Sequence, residues 1–191
     1  MAYLLFGILL FGGIHLFSML LPTRRDALKA RLGEKLWKGF FAIVSLVGLG
    51  LMVRGFLLSR SGPLAADWLY VPADWARHVT MLFVLLGFIF LAASHGKSHL
   101  RLWLRHPMSI GIALWASGHL LSNGKRTDVY LFGTFLVVAL LDIVLSTLRG
   151  KVPVYEPHLR SDIVAVIVGM VLYVIFLFGF HPYVLNLPVA G

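Results

Sequence analysis

Six nearly unbroken apolar stretches alternate with short polar connections along this chain. They run approximately from Tyr3 to Leu21, Lys38 to Leu58, His78 to Ser94, Pro107 to Ser122, Val129 to Thr147 and Ser161 to Tyr183. A helix needs ~17–25 mostly apolar residues to cross a hydrocarbon core. The pattern therefore predicts an all-α, polytopic membrane bundle of about six transmembrane helices, forming one domain over residues 1–191. The fourth stretch is the weakest, being short and interrupted by Gly111, Gly118 and His119. From Pro22 to Lys38, alternating charges accompany Leu28, Leu32 and Leu36 at helical spacing, which predicts a short amphipathic helix at the interface. The connection from Ser59 to Arg77 carries Pro63, Trp68, Tyr70, Pro72 and Trp75. Trp and Tyr favour the membrane–water boundary, so this connection is expected to lie along the membrane surface. Met1 to Leu10 holds no Lys or Arg, so the first stretch is expected to stay as a spanning helix rather than act as a secretory signal.

Composition supports lipid as the solvent. Hydrophobic residues make up 59% of the 191 positions and charged ones only 13%, about half the usual globular share. A soluble domain of this size has no means of hiding that much apolar surface. The net charge of +9 invites a nucleic-acid reading. The cations instead cluster in connections: Arg24, Arg25, Lys29, Arg31, Lys35 and Lys38 after the first stretch, Lys97, Arg101 and Arg105 after the third, and Arg149, Lys151 and Arg160 after the fifth. The opposite side has Arg54, Arg60, Arg77, Lys125 and Arg126. By the positive-inside rule both termini are expected outside, on the periplasmic face if the membrane is a bacterial inner membrane, and no nucleic-acid partner is expected. Cysteine is absent, which excludes disulfides, iron–sulfur clusters and thiolate chemistry.

Polar groups at bilayer depth are costly and point to function. His15, His119 and Asp142 stand out. His15 follows Gly12 and Gly13, which either leave room for a bulky group or serve close helix packing. His119 lies four residues after Trp115 and next to Gly118, so an aromatic, a small residue and an imidazole share neighbouring faces. Each histidine reads either as an interhelical hydrogen-bonding group or as a ligand, and two together suit a b-type heme held by two neutral imidazoles. In straight helices the two lie on opposite sides of the midplane, several ångström apart in depth at ~1.5 Å per residue, a difference that tilt has to absorb. Asp142 is expected to pair with Arg101 or Arg105, the alternative being a proton relay. His95 and His99 have metal-binding spacing but sit among cations. His181, before Pro182, reads as a helix stop, with a ligand role held in reserve. Arg54, near a helix end, is able to snorkel.

Arg105-His106-Pro107-Met108, followed by Gly111, Trp115, His119, Asn123 and Gly124, forms a recognisable pattern. Together with His15, the block from Gly33 to Ser45, and the closing Pro182-Tyr183 and Pro188, it resembles the NnrU family over nearly the whole chain. That family looks related to 15-cis-zeta-carotene isomerase. The resemblance implies a bacterial inner-membrane protein associated with nitric oxide and nitrite metabolism, with denitrification or respiratory proteins as partners. From the isomerase it implies heme b with His15 and His119 as axial ligands and His106 as a secondary candidate. In that picture Arg54, Lys125 or Arg126 neutralises the heme propionates. It also implies an alternative activity, cis–trans isomerisation of a lipophilic polyene, and a third reading is a cofactor-free accessory protein. The isomerase has a cysteine shortly before its second histidine; here that place holds Ala116, which argues against a thiol ligand. The Arg-His-Pro-x-x-x-Gly pattern is also similar to isoprenylcysteine and phospholipid methyltransferases. Those use paired glutamates, whereas Glu34 and Glu156 are far apart here.

Overall fold

A computed structural model describes residues 1–61 and 63–186; Pro188 lies outside them. The described residues are helical apart from turns, connections and one isolated bridge between Trp68 and Lys125. The elements are α1 (Ala2–Leu20), α2 (Pro22–Leu32), α3 (Glu34–Leu58), a 3₁₀ turn (Pro63–Ala66), α4 (Ala76–Ala93), α5 (His99–Leu104), α6 (Pro107–Ser122), α7 (Arg126–Leu148) and α8 (Leu159–Ile175). α8 runs on as a π-helical segment, Phe176–Val184.

Among the described residues, five helices are long and apolar enough to cross a membrane: α1, α3, α4, α7 and α8 with its π-helical extension. The sixth expected span, α6, has 16 residues, below the usual spanning length. Phe6, Leu9, Ile43 and Leu46 are each more than 60% exposed, as lipid-facing side chains are and soluble cores are not. The interfacial helix expected over Pro22–Lys38 divides at Gly33. Its φ of 82° ends α2, and α3 begins at Glu34 with a Glu34–Lys38 ion pair at 2.7 Å.

The backbone contacts divide the chain into two compact units, 1–71 with 124–141 and 72–123 with 142–191. In the first, α1 and α3 run antiparallel with backbones in contact. A β-carbon on Gly7 would lie 2.5 Å from Met52 N and 2.6 Å from Gly48 O. Such small-residue contacts replace the hydrophobic effect as the source of helix association in lipid. The connection after α3 is strapped to the start of α7. Leu69 N donates to Gly124 O at 2.8 Å, Arg126 N donates to Asp67 O at 2.9 Å, and the Arg126 guanidinium grips both Asp67 oxygens. Beside it Asp128 is buried, with Arg60 3.8 Å away. Burial, and secondarily this carboxylate, hold the Tyr70 phenol above its usual pKa.

In the second unit α4 packs antiparallel to α6, with Gly87 against Gly111 and the Thr80 hydroxyl donating to Gly118 O at 2.6 Å. α8 packs on α4 where Gly169 meets Ile89. Asp162 of α8 clasps the start of α5: its oxygens accept from His99 N, Leu100 N and His99 Nδ1 at 3.1, 3.1 and 2.6 Å. The Tyr155 hydroxyl donates to Ser98 O at 2.8 Å.

Candidate functional site

His15 lies in the second half of α1, in the first unit. Its Nδ1–H donates to Phe11 O, one turn back, at 2.7 Å. A carbonyl only accepts, so this bond assigns the proton to Nδ1 and the lone pair to Nε2. The ring sits 4.2 Å from the Phe11 ring and 4.9 Å from Phe41. Of the two readings of the neighbouring glycines, room prevails over packing. Among the described residues, a β-carbon on Gly13 would meet nothing within 4 Å, and one on Gly12 would meet Thr134 at 3.8 Å. Close packing falls to Gly7, Gly48 and Gly55 instead.

His119 lies in the last turn of α6, in the second unit. Its Nδ1–H donates to Trp115 O at 2.8 Å, the same i−4 arrangement as His15. The Trp115 ring is 4.9 Å away, and Asn123 Nδ2 donates to His119 O at 2.8 Å. Gly118 and Gly111 are packing glycines, pressed on Thr80 and Gly87 respectively. The near neighbour absent from the expected pair is His181. Its ring lies 6.2 Å from that of His119, inclined by only 14°. Pro182 does not stop the helix: the chain continues through it as π-helix, with His181 Nδ1–H donating to Phe176 O at 2.8 Å. Periodicity built on 3.6 residues per turn has no means of registering a π turn.

The remaining candidates separate cleanly. His106 stands at the N-cap position of α6 without a side-chain capping bond, and among the described residues its buried Nε2 has no hydrogen-bond partner. An orphaned buried polar atom costs about 1–3 kcal/mol. His106→Leu is therefore expected to hold or raise the unfolding temperature of cofactor-free protein in detergent; a fall of several degrees would reveal a partner for that nitrogen. Asp142 does not pair with Arg101 or Arg105. It accepts from the Ser109 hydroxyl at 2.5 Å and from Ser146 at 3.4 Å. Arg101 instead donates to Gly96 O and lies over the Tyr155 ring. Arg126 is committed to Asp67 and Lys125 lies over Trp68, whereas Arg54 is exposed. His99 is held by Asp162, and His95 lines a groove of about 350 Å³ with Gly96, Arg160 and Ser161. Among the described residues no cluster of three or more His, Asp or Glu has metal-holding geometry.

Comparison with known proteins gives one result. Neither the curated proteins nor the solved structures yield a match. The sequence profile described as NnrU protein matches residues 3–189, nearly the whole chain with its Arg-His-Pro block, His15 and His119. The chain belongs to the NnrU family.

Proposed function

We propose that this NnrU-family chain is a multi-pass protein of the bacterial inner membrane, with both termini outside, that binds heme b in the service of nitrogen-oxide metabolism. The residues that would hold it, as the resemblance implies, are His119 and His15. The observation that carries this reading is the Nδ1–H donation of both histidines to the carbonyl one turn back. Metal-ligating histidines characteristically donate their other ring N–H in this way, which fixes the tautomer and aims the ring. Aromatic rings around each imidazole supply the apolar walls that a porphyrin needs. Arg54, exposed on α3, is the cation left for a propionate, while Lys125 and Arg126 have other engagements. The cation-rich connections support the orientation.

A bound heme b would supply a one-electron couple and an iron able to bind a diatomic nitrogen oxide. The chain's own part is to aim each imidazole and shield it from water, His15 with Phe11 and Phe41, His119 with Trp115. The test is the absorption spectrum of detergent-purified protein, oxidised and dithionite-reduced. A Soret band with sharp reduced α and β bands is expected, strongly diminished in His119→Ala. A colourless wild type, even after expression with added heme, would leave the cofactor-free accessory role as the better account.

A further inference from the structure

We infer that the groove between the end of α4 and the start of α8 is a binding site for one anionic phospholipid. His95, Arg160 and Ser161 take its phosphate, and an acyl chain lies along Val164 and Val168. The inference uses the membrane orientation proposed above and is independent of heme.

Packing of the two helices shapes the groove. They run antiparallel and approach at two places. A β-carbon on Gly169 would stand 2.6 Å from Ile89 Cα, and one on Gly96 would stand 3.4 Å from Ser161 Cβ. Alongside these contacts opens a groove of about 350 Å³, at the low end of the ~300–1,000 Å³ typical of small-molecule sites. Small residues leave the space: Gly96, Ala92 and Ala165, the last only 3% exposed.

The lining changes character with depth. His95, Gly96, Arg160 and Ser161 lie where α4 ends and α8 begins. Ala92, Val164, Ala165 and Val168 lie further along the same helices, with ~10 Å between Ser161 and Val168 at 1.5 Å per residue. Val164 and Val168 are 50% and 41% exposed. Both belong to a helix long and apolar enough to cross a membrane, so hydrocarbon is what covers them.

Charge selects the headgroup. Among the described residues, Arg160 and His95 are exposed and their side chains make no hydrogen bond or ion pair. The nearest carboxylate in sequence does not compete for Arg160, because the Asp162 oxygens are taken by His99 N, Leu100 N and His99 Nδ1. Gly96 O is taken by the Arg101 guanidinium. What remains at this end is a guanidinium, an imidazole and a hydroxyl, all able to donate to phosphate oxygens. Lys97, Arg101 and Lys151 add to the positive field. Basic pockets between helices on the cytoplasmic side are where anionic headgroups bind. A free phosphate would use the donors alone and leave the valines unused.

The test is native mass spectrometry of the full chain in mild detergent, titrated with phosphatidylglycerol or phosphatidylcholine. Wild type is compared with Arg160→Gln, Arg160→Lys, Ala92→Leu, Val164→Phe and Lys151→Gln. The first phosphatidylglycerol is expected to bind about tenfold more tightly than phosphatidylcholine, and Arg160→Gln to weaken it about fivefold or more. Arg160→Lys keeps the charge and should recover part of that loss. Ala92→Leu and Val164→Phe keep every cation but fill the groove, and each should weaken binding too. Lys151→Gln, exposed and outside the groove, should leave it unchanged. Circular dichroism and elution volume show which variants keep the fold. If Arg160→Gln and Lys151→Gln weaken binding equally, or folded groove-filling variants bind as wild type does, the lipid follows the general charge of this face and the site is wrong. Equal binding of phosphatidylcholine also overturns it. Displacement of the lipid by excess inorganic phosphate would make this a site for a soluble anion instead. The absorption spectrum of the same samples keeps the two readings apart: a colourless protein with selective lipid binding sinks only the heme, and a Soret band without it sinks only the lipid site.

Discussion

Gly7→Ala is expected to prise apart the α1–α3 pair of the first unit. The added β-carbon would stand 2.5 Å from Met52 N and 2.6 Å from Gly48 O, both backbone atoms. A flexible side-chain tip can swing aside, but a helix backbone moves only as a rod. Overpacking of a close-packed site costs about 1–3 kcal/mol when neighbours relax, and more when they do not. In lipid, the lost van der Waals contact is most of what joined the helices. The control is Gly50→Ala on α3, where a β-carbon meets nothing within 4 Å. Alanine there is expected to be neutral or to gain up to about 1 kcal/mol of helix propensity. Denaturation in mixed detergent with increasing SDS measures both. Equal midpoints for the two variants would mean that the glycine contact does not hold the pair.

Asp162→Ala is the second large effect expected, in the second unit. The carboxylate caps α5 through His99 N and Leu100 N and also takes the His99 imidazole at 2.6 Å. Its removal orphans two helix-start N–H groups, with a combined loss of roughly 2–4 kcal/mol if water does not fully replace it. Asp162→Asn keeps one acceptor oxygen and should lose less. Hydrogen exchange read at the His99 and Leu100 amides is the measurement, with at least tenfold faster exchange expected in Asp162→Ala. Unchanged exchange would show that α5 does not depend on this clasp.

What was legible in the sequence follows from the range of the forces involved. The edges of α6 were readable because Pro107 is preorganised for a first turn and Asn123-Gly124 breaks the apolar run; observed and expected limits coincide. α3 starts four residues before the apolar run at Lys38, because Glu34 to Trp37 lie outside what hydropathy detects, while Gly33 and the Glu34–Lys38 pair set the boundary. Charge alone points Asp142 to arginines, yet its oxygens take the hydroxyls of Ser146 and of Ser109, the latter 33 residues away and announced by no local pattern. His119 and Gly118 were visible as polar and small intruders in an apolar helix. The approach of His181 was not, because it depends on a π turn and on how α8 lies against α4, both products of tertiary packing.

The strap that joins Leu69 and Asp67 to Gly124 and Arg126 has a topological meaning. It closes a neck, so that everything from Pro72 to Asn123, including α4, α5 and α6, leaves and re-enters the first unit at adjacent points. Such a closed excursion resembles an inserted cassette. Its length bears little on the neck, since each doubling of a flexible loop adds only about 0.6 kcal/mol of closure entropy. The helices beyond the neck remain tied to α8, through Gly169 on Ile89 and Asp162 on the start of α5, so length is free to change only in their connections while the Asp67–Arg126 clasp keeps the neck shut.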